Sequence, residues 1–359
     1  MQPEIDPWGS VRIQDYKKLF EDFGIDRFDE FKSKLDHRYV RRGIIFGHRD
    51  FGRVMDAIEK KKKFVMMTGL MPSGKFHFGH KMVADQIILY QKMGATLYVC
   101  VADLEAYAVR GIELKEARML AIEEYLTNYL ALGLKNENLH FYFQTDYTTP
   151  YYRFRDTLSR KATFNELLAI YGDLTPGKIF SALTQVADIL HPQLDEFEGK
   201  LPTIVPVGAD QDPHMRLTRD IASKLNNFIP PSATYHKLMQ GLQGGKMSSS
   251  DPKSYISLTE SPKDARKNIM NAKTGGRSTA KEQKELGGVP EECMVYEFLV
   301  YHLIEDDKEL ENVYMGCKSG GKVCGECKMK CAELMEKFLI EHQKKREKAR
   351  GMVDEVLGE

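Results

Sequence analysis

The sequence predicts an α/β fold, a doubly wound parallel sheet followed by a mostly helical C-terminal domain. Two observations carry this. Short apolar runs alternate with helical periodicity between residues 64 and 225, and strand signals nearly vanish after the glycine-flanked loop at 244–252. The elements follow in order. Residues 1–62 are polar, with short helical signals, and close on Lys60-Lys61-Lys62-Lys63, a solvated helix end. They form an N-terminal extension. The run FVMMTG (64–69) reads as a buried strand ending in glycine. A Pro/Gly loop leads to a helix over 81–94, where Val83, Ala84, Ile87 and Ile88 share one face and Gly94 is the stop. TLYVCVAD (96–103) is the second strand, residues 113–132 a helix ended by Gly133, and HFYFQ (140–144) the third strand. TIVPVG (203–208) is a further strand that ends in a polar cluster, and 212–225 reads as a helix. The core domain therefore spans 63–252, with its ligand crevice at the strand C-terminal ends. Residues 253–359 form the helical domain.

Bulk properties narrow the function classes. No run of 18 apolar residues occurs, which excludes an ordinary membrane-spanning helix. The first ten residues lack a basic-then-apolar pattern, so no secretory signal is expected, and the chain reads as cytoplasmic. Lys plus Arg and Asp plus Glu both number 52, so a nucleic-acid site must be a local patch. Of six cysteines only Cys100 precedes residue 293. With no signal peptide, that favours reduced thiols or metal ligands over disulfides.

Two strings carry the chemistry. Pro72-Ser73-Gly74-Lys75-Phe76-His77-Phe78-Gly79-His80 lies between the first strand and first helix, where a nucleotide binds. Glycine lets backbone approach phosphate, and the two imidazoles can face a triphosphate. His-x-Gly-His alone reads equally as a turn with two surface histidines; the whole string in this position favours the nucleotide. Lys246-Met247-Ser248-Ser249-Ser250 offers one flexible cation and three hydroxyls in a Gly-flanked loop that can close over pyrophosphate. Alone it reads as any polar loop; paired with the first string it becomes specific.

Together these strings resemble the HIGH and KMSKS signatures of class I aminoacyl-tRNA synthetases. Asp6-Pro7-Trp8, Arg41-Arg42-Gly43-Ile44, Phe46-Gly47-His48-Arg49-Asp50, Gly208-Ala209-Asp210-Gln211-Asp212-Pro213 and LTRDIA (217–222) extend the resemblance over nearly the whole chain, toward the archaeal and eukaryotic type of tryptophanyl-tRNA synthetase. The resemblance implies a Rossmann-like homodimer that uses ATP with Mg²⁺ to activate L-tryptophan and charges tRNA(Trp) through a helical anticodon-binding domain. It implies roles residue by residue. His77 and His80 contact ATP phosphates, with Gly79 leaving room for adenine. Lys246 holds pyrophosphate. Gly208 and Asp210 meet the ribose. Glu105, Gln185 and Gln211 surround the amino-acid ammonium and carboxylate. Asp188 falls where bacterial-type members accept the indole N–H. Two departures stand out. Ser249 replaces the second lysine of KMSKS, leaving Lys75 to supply charge. Met67 occupies the place of a tyrosine that bonds the indole in eukaryotic-type members, which shifts weight to Asp188. Tyrosyl-tRNA synthetases also use an acid near that place, so tyrosine remains the alternative substrate. A catalytically inactive synthetase-like tRNA-binding protein is a remoter one.

Two constellations remain. Cys317, Cys324, Cys327 and Cys331 are spaced x6, x2, x3, and 23 residues separate Cys293 from Cys317. Four thiolates suit zinc or an iron–sulfur cluster. Some tryptophanyl-tRNA synthetases carry a [4Fe–4S] cluster on C-x22-C-x6-C-x2-C, which this pattern resembles with a first gap one residue longer. Cys293, Cys317, Cys324 and Cys327 are the first choice of ligands; the alternative is a helix face of free thiols. Finally, residues 263–284 hold Lys263, Arg266, Lys267, Lys273, Arg277, Lys281 and Lys284 against Asp264 and Glu282, a balance that suits either tRNA phosphates or a solvated helix face.

Overall fold

The computed structural model describes residues 20–358, apart from 22, 246 and 248–250. The motif Asp6-Pro7-Trp8, Lys246 and Ser248 to Ser250 lie outside the described residues. Seven strands form one sheet: β1 (Asp26–Arg27), β2 (Ile45–Arg49), β3 (Val65–Leu70), β4 (Thr96–Val101), β5 (Leu139–Phe143), β6 (Thr203–Gly208) and β7 (Ser232–His236). Their spatial order is β1-β2-β7-β6-β3-β4-β5. β7, β6, β3, β4 and β5 are mutually parallel, while β1 and β2 are antiparallel additions at one edge. The central strands are buried on both faces, which is why they read as continuous apolar runs. From β3 the chain moves outward to β4 and β5, then returns to β6 on the other side. The order therefore reverses between β3 and β6, and the crevice at their C-terminal ends is the switch point where ligands bind.

Two strands, β2 and β7, were not legible as strands. β2 lies within the polar extension, and β7 carries Ser, Thr and His. Each becomes a strand because the other, far along the chain, supplies its hydrogen-bond partner. The N-terminal extension is thus built into the sheet.

Helices cover both faces. The helix Phe78–Lys92 begins three residues before the expected start, because His77 caps it, and it buries Phe78, Met82, Ala84, Ile87 and Ile88. The expected helix over 113–132 forms, with a wider turn at Ala121–Leu126. The C-terminal helices Pro262–Asn271, Ala280–Leu286, Met294–Phe298, Asp307–Lys318 and Cys324–Arg350 match the helical expectation. The longest, Cys324–Arg350, packs on Pro262–Asn271 and on Thr127–Leu132. His342 Nε2 meets Asn128 Oδ1 at 2.7 Å there. A buried polar junction ties all three regions together: the Tyr39 hydroxyl donates to Asp85 at 2.6 Å, Lys81 pairs with the same carboxylate at 2.7 Å, and His302 Nδ1 lies 3.3 Å from Tyr39 Oη.

Candidate active site

The first motif is built by helix capping. His77 Nδ1 accepts the backbone N–H of Gly79 at 3.1 Å, and His80 Nδ1 accepts the backbone N–H of His77 at 3.3 Å. The two rings stack with centroids 3.8 Å apart. Burial lowers the His77 pKa to about 4 and holds His80 well below its usual value, with His77 adding to the effect. Both rings are therefore neutral near pH 7. Because each Nδ1 accepts, each ring carries its proton on Nε2, which makes Nε2–H a donor. A Cβ on Gly79 would stand 2.9 Å from His77 Cε1 and 3.5 Å from Met247 Sδ, so only glycine fits beside the stacked ring. Met247, the one described residue of the second motif, is thus buried against the first. That loop is anchored at both flanks: Gly241 N–H donates to the Gly245 carbonyl, and Leu242 N–H to that of Ser254. Pro72 is buried beside the half-buried Ser73 and Gly74. Lys75 is exposed and faces Glu260.

At the switch point β6 ends in Gly208, and a single tight turn, Ala209–Gln211, precedes the helix Asp212–Ser223. The Asp210 carboxylate folds back over Gly208: a Cβ there would sit 2.5 Å from Asp210 Oδ1 and 2.8 Å from Leu238 Cδ2. Asp212 is fully buried and held by Arg49 through Nε and Nη2 at 3.0 and 3.1 Å, with the Tyr235 hydroxyl at 2.5 Å.

Beside this turn lies a cavity of about 240 Å³. Its wall holds all five residues expected at the amino acid: Met67, Glu105, Gln185, Asp188 and Gln211. It also holds residues the sequence reading missed, chiefly Gln144, Arg110 and His214. Burial grades across it. Met67, Gln144, Asp188 and Val205 are buried, whereas Glu105, Gln185 and Gln211 are partly exposed and Arg110 is exposed. The buried end thus sets apolar Met67 and Val205 beside polar Gln144 and Asp188, and the open end is polar. Asp188 lies on the helix Pro176–Leu190 and accepts from Tyr151 at 2.7 Å, Tyr142 at 3.0 Å and Gln144 Nε2 at 2.7 Å. Burial raises its pKa, against the pull of these bonds. No motif marks Gln144, Tyr142 or Tyr151. The available signal was the polar Gln144 at the C-terminal end of an apolar strand facing the crevice.

A family model described as tRNA synthetases class I (W and Y) matches residues 59–340. The chain belongs to this family. It is similar to the tryptophan–tRNA ligase of Hyperthermus butylicus, at 52% identity over 98% of this chain and 97% of that protein. It is also similar to that of Methanocaldococcus jannaschii, at 48% identity over 99% and 98%. The crystal structure of tryptophanyl-tRNA synthetase from Aeropyrum pernix superposes with a TM-score of 0.92 at 50% identity, covering 98% of both chains.

Away from this synthetase site, Cys293, Cys317, Cys324 and Cys327 line a single small cavity. Glycines make room there: a Cβ on Gly276 would meet Cys324 Sγ, and one on Gly288 would lie 2.7 Å from Cys317 Sγ. Among the described residues, no three Cys, His, Asp or Glu side chains form a group that could hold one metal ion. Cys331 is buried elsewhere and points at the Val295 carbonyl, 3.8 Å away. In the cationic segment, Arg266 pairs with Glu336 at 2.6 Å and Arg277 Nε donates to the Gly287 carbonyl. Lys281 stands 3.9 Å from Glu285, while Lys263, Lys267, Lys273 and Lys284 are exposed.

Proposed function

We propose that this chain activates L-tryptophan with ATP to tryptophanyl-adenylate and transfers the tryptophanyl group to tRNA(Trp). The observation that carries this reading is the graded cavity at the switch point, where buried Met67, Val205, Gln144 and Asp188 share one lining with the more exposed Glu105, Gln185 and Gln211. The tryptophan names of relatives at about half identity support it and disfavour the tyrosine alternative.

In the first step a tryptophan carboxylate oxygen attacks the α-phosphorus, the bond to the β-phosphate bridging oxygen breaks, and pyrophosphate leaves. Mg²⁺, carried in with ATP, offsets phosphate charge. Glu105, Gln185 and Gln211 hold the ammonium and carboxylate at the open end. Asp210, folded over Gly208, accepts from the ribose hydroxyls. The neutral Nε2–H groups of His77 and His80 donate to phosphate oxygens as charge moves to the leaving group, the moment at which such donors count most. Gly79 keeps their stacked arrangement possible. Pro72, Ser73 and Gly74 shape the approach to the phosphates. Lys246 and the hydroxyls of Ser248, Ser249 and Ser250 close over pyrophosphate, drawn in with Met247, and Lys75 adds the second charge that Ser249 lacks. In the second step a terminal ribose hydroxyl of the tRNA attacks the tryptophanyl carbonyl carbon and AMP departs.

Residues 253–359 act as the anticodon-binding domain, with the exposed lysines of 263–284 on phosphate. The enzyme is a cytoplasmic homodimer. Tyr107, Leu114 and Phe180, exposed on three helices that pack on one another, supply an apolar face for the second copy. The cysteine cavity holds a [4Fe–4S] cluster. Its thiols stand around a shared space without converging on one point, an arrangement that suits four irons at separate corners better than one tetrahedral zinc. Aminoacylation of a tRNA(Trp) transcript with labelled tryptophan tests the whole reading: stable, RNA-linked label is expected, and its absence with active ATP turnover refutes the transfer step.

A further inference from the structure

We infer that Gln144 is the group that accepts the indole N–H of tryptophan, and that Asp188 is a positioning residue that aims the Gln144 amide. The inference rests on the tryptophan reading above and assigns the specificity contact within it. Two observations carry it, one about each side chain.

Asp188 is 3% exposed, and most of its acceptor capacity is taken. Oδ1 receives the hydroxyls of Tyr151 and Tyr142 at 2.7 and 3.0 Å. Oδ2 receives Gln144 Nε2 at 2.7 Å, so three buried donors already converge on this one carboxylate. A carboxylate offers about four lone-pair sites. Oδ1 is filled by its two hydroxyls, and a further donor has to crowd onto Oδ2 beside Gln144 Nε2 or displace a buried partner, which is then stranded at a cost comparable to the bond gained.

Gln144 is in the opposite condition. Its Nε2 is committed to Asp188, and the amide cannot be turned over, since that sets its oxygen against the carboxylate. Oε1 is therefore held away from Asp188. Gln144 is 2% exposed and lines the cavity, and among the described residues no donor reaches its Oε1. A buried acceptor without a partner is costly, and an incoming N–H removes that cost. Gln185 Oε1 also has no partner among the described residues, but Gln185 is partly exposed and belongs to the polar end with Glu105 and Gln211. Gln144 belongs to the buried end with Met67 and Val205, where the flat indole finds apolar walls. Met67 has no acceptor of its own beyond a weak thioether, so the burden falls on the amide.

The test is ATP–pyrophosphate exchange with tryptophan and with benzothienylalanine, the isostere in which sulfur replaces the indole N–H. The wild-type enzyme is expected to favour tryptophan by about 10²-fold or more in kcat/KM, as sites built on one buried hydrogen bond do. Gln144→Leu should bring the two substrates within about threefold, through the tryptophan KM, and leave the KM for ATP unchanged. Gln144→Met, which keeps the side-chain length, should do the same if the leucine variant melts early. Gln144→Glu, whose carboxyl shares a proton with Asp188 and keeps one oxygen toward the cavity, should retain the preference. If the leucine or methionine variant melts like the wild type yet still prefers tryptophan as strongly as the wild type does, the acceptor lies elsewhere and the inference fails. Failure of the wild type to activate tryptophan refutes the underlying reading instead, so the two failures are distinct.

Discussion

Arg49, at the end of β2, grips the carboxylate of Asp212 at the start of the helix after β6, with Nε and Nη2 reaching its two oxygens at 3.0 and 3.1 Å. The pair fixes the turn that carries Asp210. Removing one partner of a buried ion pair costs about 3–5 kcal/mol where the other charge is stranded. Arg216 Nε stands 3.3 Å from the same carboxylate, so Arg49→Met is expected to cost less than that in unfolding free energy and to raise the KM for ATP as the Asp210 turn loosens. Urea unfolding with exchange kinetics checks both; unchanged stability contradicts the clamp.

The stacked histidines give a second expectation. Gly79→Ala places a methyl 2.9 Å from His77 Cε1, which forces the rings apart. The exchange rate should fall at least tenfold with the fold intact. Lys246→Ala, which removes charge stabilisation at the leaving pyrophosphate, should cost about 10²–10³-fold in rate, roughly 3–4 kcal/mol, with little change in tryptophan affinity. Rates equal to wild type in either variant sink the assigned role.

Acid stability follows from the buried imidazoles. His77, His236 and His342 are each held at about 4 by burial, against about 6.5 in an unfolded chain. Between those values the unfolded state binds more protons, so stability falls as pH drops through 6.5 and the loss levels off near 4. The thermal midpoint should decline across that window. A flat midpoint from pH 6.5 to 4 contradicts the neutral assignment.

Much of this was legible in the sequence. β3, β4 and β6 announce themselves as apolar runs ending near polar turns, because strands buried on both faces need such runs, and the edge strand β5 is marked by its aromatic residues. β2 and β7 do not, since their strand character comes from a partner far along the chain. Motif residues read as family marks proved partly structural: Arg49 serves Asp212, and Asp50 accepts from Arg219 at 2.7 Å. The Gln144, Tyr142 and Tyr151 cluster had no motif, only the polar Gln144 at the end of an apolar strand. Its meaning lies in convergence on Asp188 from β5, the helix Thr149–Thr157 and the helix Pro176–Leu190, which spacing along the chain does not encode.

The cysteine cavity is checked by anaerobic purification. Stoichiometric iron and sulfide with absorbance near about 400 nm are expected for a cluster. Cys324→Ser should lose that absorbance, while Cys331→Ser, which alters a thiol outside the cavity, should keep it. Protein free of metal and of full stability shows the thiols to be packing residues.

The central claim is the substrate, and ATP–pyrophosphate exchange with each of the twenty amino acids tests it most directly. The account predicts exchange with tryptophan and near silence with phenylalanine, because a site that leaves a buried acceptor unpaired rejects the wrong analogue by up to about 10⁴–10⁵-fold; tyrosine, whose hydroxyl can still donate, should fall behind tryptophan through the shape of the cavity. Faster exchange with tyrosine than with tryptophan would contradict it.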